Sequence, residues 1–142
     1  MTRFSKQVIG LVPMAGQATR LSPLPGSKEL LPLGFQRRVG GGAYPKVISS
    51  YLLEAMKQAS INQIMLVLRR CKWDIAEYYG SGGAFGLELA YTFMKQPHGV
   101  PYTLDSAYAF IKDSYVAVGF PDIIYEPKDA FVKLREKLET SH

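Results

Sequence analysis

The sequence has one cysteine, Cys71, and two histidines, His98 and His142, in 142 residues. A lone thiol excludes an intramolecular disulfide and a multi-cysteine zinc site. Read as a small hydrophobe, Cys71 is expected to be buried. His98 reads as an exposed loop residue and His142 as a disordered end. No apolar run approaches the ~20 residues of a bilayer-spanning helix. The polar start, residues 1–7, does not lead into the apolar stretch of a signal peptide. A soluble, cytoplasmic protein with no membrane partner is the expectation. Charge is not massed either: 17 Lys+Arg against 12 Asp+Glu give a net charge of +5. The basic residues are scattered, with Arg37-Arg38 and Arg69-Arg70 as doublets. Nucleic-acid binding calls for a basic stripe interleaved with aromatic platforms. None is expected here, and the cations read as a solvated surface with a few that face phosphate. The motifs GxxxxGK[ST] and GxGxxG are both absent.

What is present is a core. With 47% hydrophobic and 20% charged residues, the composition excludes disorder over most of the length, and 142 residues suit one domain, 1–142. Residues 7–15 (QVIGLVPMA) read as a buried strand that ends or bulges at Pro13. Residues 16–26, rich in Gly, Pro, Ser and Thr, read as a loop. A helix is predicted over 45–59, with Val47, Ile48, Tyr51, Leu52, Ala55 and Met56 on one stripe and Pro45 in its first turn. Strands follow at 63–68, 87–93 and 115–119, and helices at 72–79, 103–112 and 126–138. The helix at 103–112 is read with Leu104, Ala107, Tyr108 and Ile111 on one face, and the last one with Pro127 near its start. Tyr78, Tyr79, Tyr91 and Phe93 read as core or core-covering residues, and Trp73 as a core residue or a partner contact. Strands alternating with helices imply an α/β fold with a mainly parallel sheet between helical layers. Ligands then bind beyond the carboxyl ends of the strands, which points to the loops after Ala15 and after Gly119.

The most informative stretch is 14–33, MAGQATRLSPLPGSKELLPL. A small-residue loop directly after a strand lets backbone N–H groups approach a polyphosphate. Arg20 adds a forked cation and Lys28 a mobile one. These residues resemble the signature of sugar-1-phosphate nucleotidylyltransferases (nucleoside-diphosphate-sugar pyrophosphorylases): Gly16-Gln17-Ala18-Thr19-Arg20-Leu21, Pro23, then Lys28-Glu29-Leu30-Leu31-Pro32. The resemblance is closest to the glucose-1-phosphate thymidylyl- and uridylyltransferase branch. It continues in Pro45-Lys46-Val47-Ile48, Tyr79-Gly80, Phe85-Gly86-Leu87, Gln96-Pro97 and Gly119-Phe120-Pro121-Asp122.

The resemblance implies a Rossmann-like fold of the nucleotide-diphospho-sugar transferase type, of which this chain would be the N-terminal part. It implies nucleotide binding by Ala15, Gly16, Gln17, Ala18 and Thr19, with Gln96 on the base and Leu104 lining the base pocket. Arg20 would neutralise the pyrophosphate leaving group, Lys28 would contact the phosphates, and Asp122 would hold Mg²⁺. The implied reaction joins a nucleoside triphosphate, dTTP or UTP favoured, to a sugar 1-phosphate and releases pyrophosphate. Positioning and charge neutralisation suffice for it, without a protein nucleophile. Two departures matter. Ala15 and Ala18 stand where the family has glycine, so a positive φ at either would be strained. The family also continues well past its first metal aspartate, into a part that carries a second one. The alternative is therefore a catalytically inactive nucleotide-binding regulatory or interaction module. A shortened sheet leaves an open edge that favours a homo-oligomer.

Overall fold

The computed structural model describes residues 6–96 and 98–141; the readings placed on residues 1–5, Pro97 and His142 lie outside them. Four short apolar segments become a parallel sheet: β1 (Val8–Pro13), β4 (Gln63–Leu68), β5 (Glu88–Phe93) and β6 (Tyr115–Val118), in the order β5-β4-β1-β6. In register, Gly10 faces Ile64 on one side of β1 and Ala117 on the other. Period-two alternation sorts the side chains onto two faces. Val12, Ile64, Leu66 and Leu68 meet Leu52, Leu53, Met56, Ile75, Tyr79 and Phe131. These come from α1 (Ile48–Gln58), α2 (Trp73–Tyr79) and α5 (Ala130–Thr140). On the opposite face Ile9, Leu11, Met65 and Val67 pack on Leu104, Ala107 and Ile111 of the α3 (Val100–Asp105) and α4 (Tyr108–Ile111) region. The result is a three-layer α/β/α domain, and each fully buried large side chain contributes roughly 1.5–3 kcal/mol.

The α1 layer lies close to the sheet because two glycines let it. A Cβ on Gly10 would sit 2.9 Å from Met56 Sδ, and one on Gly119 would sit 2.5 Å from Leu52 Cδ1.

The structure corrects several local expectations. The helix predicted from Pro45 starts at Ile48, and Pro45 lies instead in strand β3 (Ala43–Val47), opposite Phe35 of β2 (Pro32–Arg37). This antiparallel hairpin closes through Gly40, Gly41 and Gly42, all at positive φ, and Arg38 N–H donates to Gly42 O at 3.0 Å. Its residues are largely exposed, and only β3 alternates, between exposed and half-buried positions. The helix predicted over 103–112 is two short helices. Thr103, Ala107 and Ile111, four apart, turn inward and Tyr108 turns outward. The last helix begins at Ala130, after a turn that contains Pro127. Cys71 is exposed, not buried, because it occupies a tight turn at φ +75°. Trp73 is also exposed, with its ring 4.8 Å from that of Phe93.

Candidate functional site

From β1 the chain moves outward through β4 to β5, then returns across the opposite face to place β6 on the other side of β1. The boundary between β1 and β6 is thus the switch point of the sheet, where strands diverge and a crevice opens beyond their carboxyl ends. A cavity of about 490 Å³ lies there, walled by Ala15, Gly16 and Gln17 from the loop after β1 and by Phe120, Pro121 and Asp122 from the loop after β6. Thr103 and Val100 close it from α3. A second cavity of about 530 Å³ adjoins it, bounded by Ala18, Thr19, Ser22, the stretch Leu24 to Lys28 and the turn Arg69–Lys72. Gly16, Gln17, Lys28 and Arg69 line both.

Lys28 ties the two loops together: its Nζ donates to Asp122 Oδ2 at 2.7 Å. That hydrogen bond holds the Asp122 carboxyl below the usual carboxylate range, against the upward push of partial burial, and the Lys28 charge adds to it. Lys28 is positioned by its neighbours. Glu29, 1% exposed, receives Lys72 Nζ on both carboxylate oxygens at 2.8 Å, and Ser49 Oγ donates to Glu29 O at 2.7 Å. One residue earlier, Ser27 donates from N and Oγ to Asp74, both at 2.7 Å. Burial pushes the Asp74 carboxyl up, but these two bonds, one from Ile75 N–H and the charge of Lys72 together bring it below its ordinary value. Glu29, Lys72, Ser27 and Asp74 were not singled out from the sequence. Only burial and long-range pairing distinguish them from surface charges.

Of the residues picked from the sequence, Ala15, Gly16, Gln17, Lys28 and Asp122 share the first cavity. Ala18 and Thr19 line the second. Ala18 sits at φ +53°, the left-handed region where a side chain is strained, whereas Ala15 is buried without a positive φ. Three residues stand apart from both walls. Arg20 is exposed on the 3₁₀ turn Thr19–Leu21. Gln96 is exposed, with Oε1 2.8 Å from His98 Nε2. Leu104 packs against the sheet in the second core cluster.

Among the described residues no group of three or more His, Cys, Asp or Glu side chains forms a metal cage. A single carboxylate, Asp122, faces the first cavity unencumbered except by Lys28; the Glu29 carboxylate is taken up by Lys72. Such a site fits Mg²⁺ only together with ligand phosphates, which is how Mg²⁺ is commonly held beside phosphorylated substrates. Among the described residues neither cavity is lined by histidine, so these residues build no acid–base pair of the Ser-His or Cys-His kind.

The architecture is a Rossmann-like parallel sheet between helical layers, and comparison with known proteins finds nucleotidyltransferases among the chains it resembles. The chain is 26% identical over 134 residues to the low-salt glycan biosynthesis nucleotidyltransferase Agl11 of Haloferax volcanii, covering 92% of this chain and 34% of that protein. Its fold matches a Bacillus anthracis chain assigned as a glucose-1-phosphate thymidylyltransferase, in complex with sucrose, at a TM-score of 0.80 and 21% identity, over 94% of this chain and 50% of that one. It also matches a UDP-glucose pyrophosphorylase complexed with UDP-glucose, at a TM-score of 0.75 and 19% identity, over 96% of this chain and 54% of that one. No protein-family model matches. The resemblance to sugar-1-phosphate nucleotidylyltransferases read from the sequence is thus met again in a curated relative and in the fold. The chain spans about a third of the length of that relative and about half of the solved chains. No helix of the described residues is long and apolar enough to cross a membrane.

Proposed function

We propose that the chain binds a nucleoside triphosphate at the switch point and carries the nucleotide half of a sugar-1-phosphate nucleotidylyltransferase site. The observation that supports this most is the convergence of the Ala15–Gln17 loop, Lys28 and Asp122 on one cavity across the β1–β6 boundary. In the reaction, an oxygen of the sugar 1-phosphate bonds to the α-phosphorus while the bond to the β-phosphate oxygen breaks, and pyrophosphate leaves with the electron pair. The chain's own work is to place the phosphates and offset their charge. The loop after β1 brings backbone N–H groups to them, and Lys28 contributes a cation held in place by the Glu29–Lys72 tie. Asp122 would hold Mg²⁺ together with the ligand's phosphates, and the metal would supply Lewis acidity there. Uridine or thymidine triphosphate and a hexose 1-phosphate are the substrates to test first, by the names of the structural relatives.

The test is a thermal-shift panel with dTTP, UTP, CTP, ATP and GTP, each with and without Mg²⁺, followed by pyrophosphate release with matched sugar phosphates. A selective shift with one pyrimidine triphosphate, and release that Asp122→Asn abolishes, support the reading. No shift with any nucleotide overturns it. A second reading, a nucleotide-binding module without turnover, is favoured by one observation: of the two carboxylates lining the first cavity, Glu29 is held by Lys72 and Asp122 is paired with Lys28. It predicts the shift without the release. Self-association through the exposed Val116 and Val118 side chains of β6 belongs to the same proposal. A light-scattering mass of one chain would exclude it.

A further inference from the structure

At the end of β4 the chain makes a turn that closes with Lys72 N–H donating to Arg69 O at 3.2 Å, with Cys71 at φ +75°. Arg69 begins this turn and lines both cavities, whereas Arg70 lines the second. Two of the cations around it are already committed. Lys28 is paired with Asp122 and Lys72 with Glu29. Arg20 lines neither cavity. Arg69 forms no ion pair among the described residues. Its partner is neutral: with the Gln17 amide turned as its hydrogen bonds require, the amide oxygen accepts from Nη1 at 2.8 Å and from Nη2 at 2.9 Å. The guanidinium is thereby aimed from β4 at the loop after β1, with its charge uncompensated.

A guanidinium fork binds a phosphate through two parallel charge-assisted bonds, and an anionic oxygen is a stronger acceptor than an amide oxygen. We propose that Arg69 is the principal phosphate-binding arginine of this site. It sits where the two cavities meet, Gln17 holds the fork in position until a phosphate displaces it, and Arg70 adds charge on the outer side. This deepens the nucleotide reading and rests on it.

The experiment measures binding of inorganic pyrophosphate and of the preferred nucleoside triphosphate by calorimetry. It compares wild type with Arg69→Ala, Arg69→Lys, Gln17→Glu and Arg37→Ala. Arg69→Ala should weaken pyrophosphate binding about tenfold or more, the scale of a lost hydrogen bond to a charged group. Arg69→Lys should recover part of that, as a point charge without the fork. Gln17→Glu leaves Arg69 in place but gives it an internal carboxylate competitor, so it too should weaken binding. Arg37→Ala, on the exposed hairpin, should bind as wild type. Folding of each variant is checked by circular dichroism; if Arg69→Ala does not fold, Arg69→Lys and Gln17→Glu decide. Wild-type affinity in Arg69→Ala, or in both of the other two, overturns the inference and leaves the nucleotide reading standing. If wild type binds neither nucleotide nor pyrophosphate, the nucleotide reading fails and takes the inference with it.

Discussion

Ala18 holds a left-handed backbone that costs an alanine about 1–2 kcal/mol and a glycine almost nothing. Part of that gain is offset by the greater freedom of glycine in the unfolded chain. Ala18→Gly is therefore expected to raise stability by about 0.5–1 kcal/mol in urea denaturation. At Asp122 the hydrogen bond from Lys28 holds the carboxyl below its ordinary value. The stability it contributes is present above the unfolded value near pH 4 and is lost as pH falls through the lower folded one. The melting-temperature gap between wild type and Asp122→Asn should close below about pH 4. Tyr79 behaves in the opposite sense. Burial pushes its hydroxyl up to about 12, opposed by hydrogen bonds with Ser49 and Ser50. The folded chain keeps it neutral where the unfolded chain ionises, so stability falls as pH rises above about 10. Tyr79→Phe should flatten that alkaline decline and cost about 1 kcal/mol at neutral pH.

Between elements, the Lys28–Leu30 turn is fastened to the start of α2 by the buried Glu29–Lys72 pair, with Lys72 8% exposed. Removing one partner strands a buried charge. Lys72→Met is expected to cost about 3–5 kcal/mol, while the double variant Lys72→Met/Glu29→Leu recovers most of it. Urea denaturation of the three chains checks this. The approach of α1 to the sheet makes a second demand. A methyl group on Gly119 meets Leu52 at 2.5 Å, so Gly119→Ala should destabilise by about 1–3 kcal/mol through overpacking. Gly119 has no positive φ, so here space and not backbone conformation requires the glycine.

For the molecule as a whole, ligand binding and folding are linked because the site joins three separate stretches: the loop after β1, the turn after β4 and the loop after β6. A nucleotide at a hundred times its Kd should raise stability by about 2.7 kcal/mol, read as a thermal shift. That shift should shrink in Arg69→Ala and persist in Arg37→Ala.

The sequence by itself determined the class of the fold and the place of the small-residue loop after β1. Both rest on local signals: continuous apolar runs such as QIMLVL at Gln63–Leu68, and a small-residue loop directly after a strand. It placed Lys28 and Asp122 in one site through resemblance, not through anything in their local surroundings. Tertiary structure alone decided the strand order, and with it the switch point that brings those two residues together across 94 positions. It also turned Pro45 into a strand residue, exposed Cys71 and made Glu29 a buried anchor. Arg69, one half of a basic doublet read as surface charge, became with Lys28 a cation shared by both cavities. The physical reason is common to all of these. Propensity and periodicity act over a turn or a strand, whereas burial and ion pairing depend on which distant segments pack against each other.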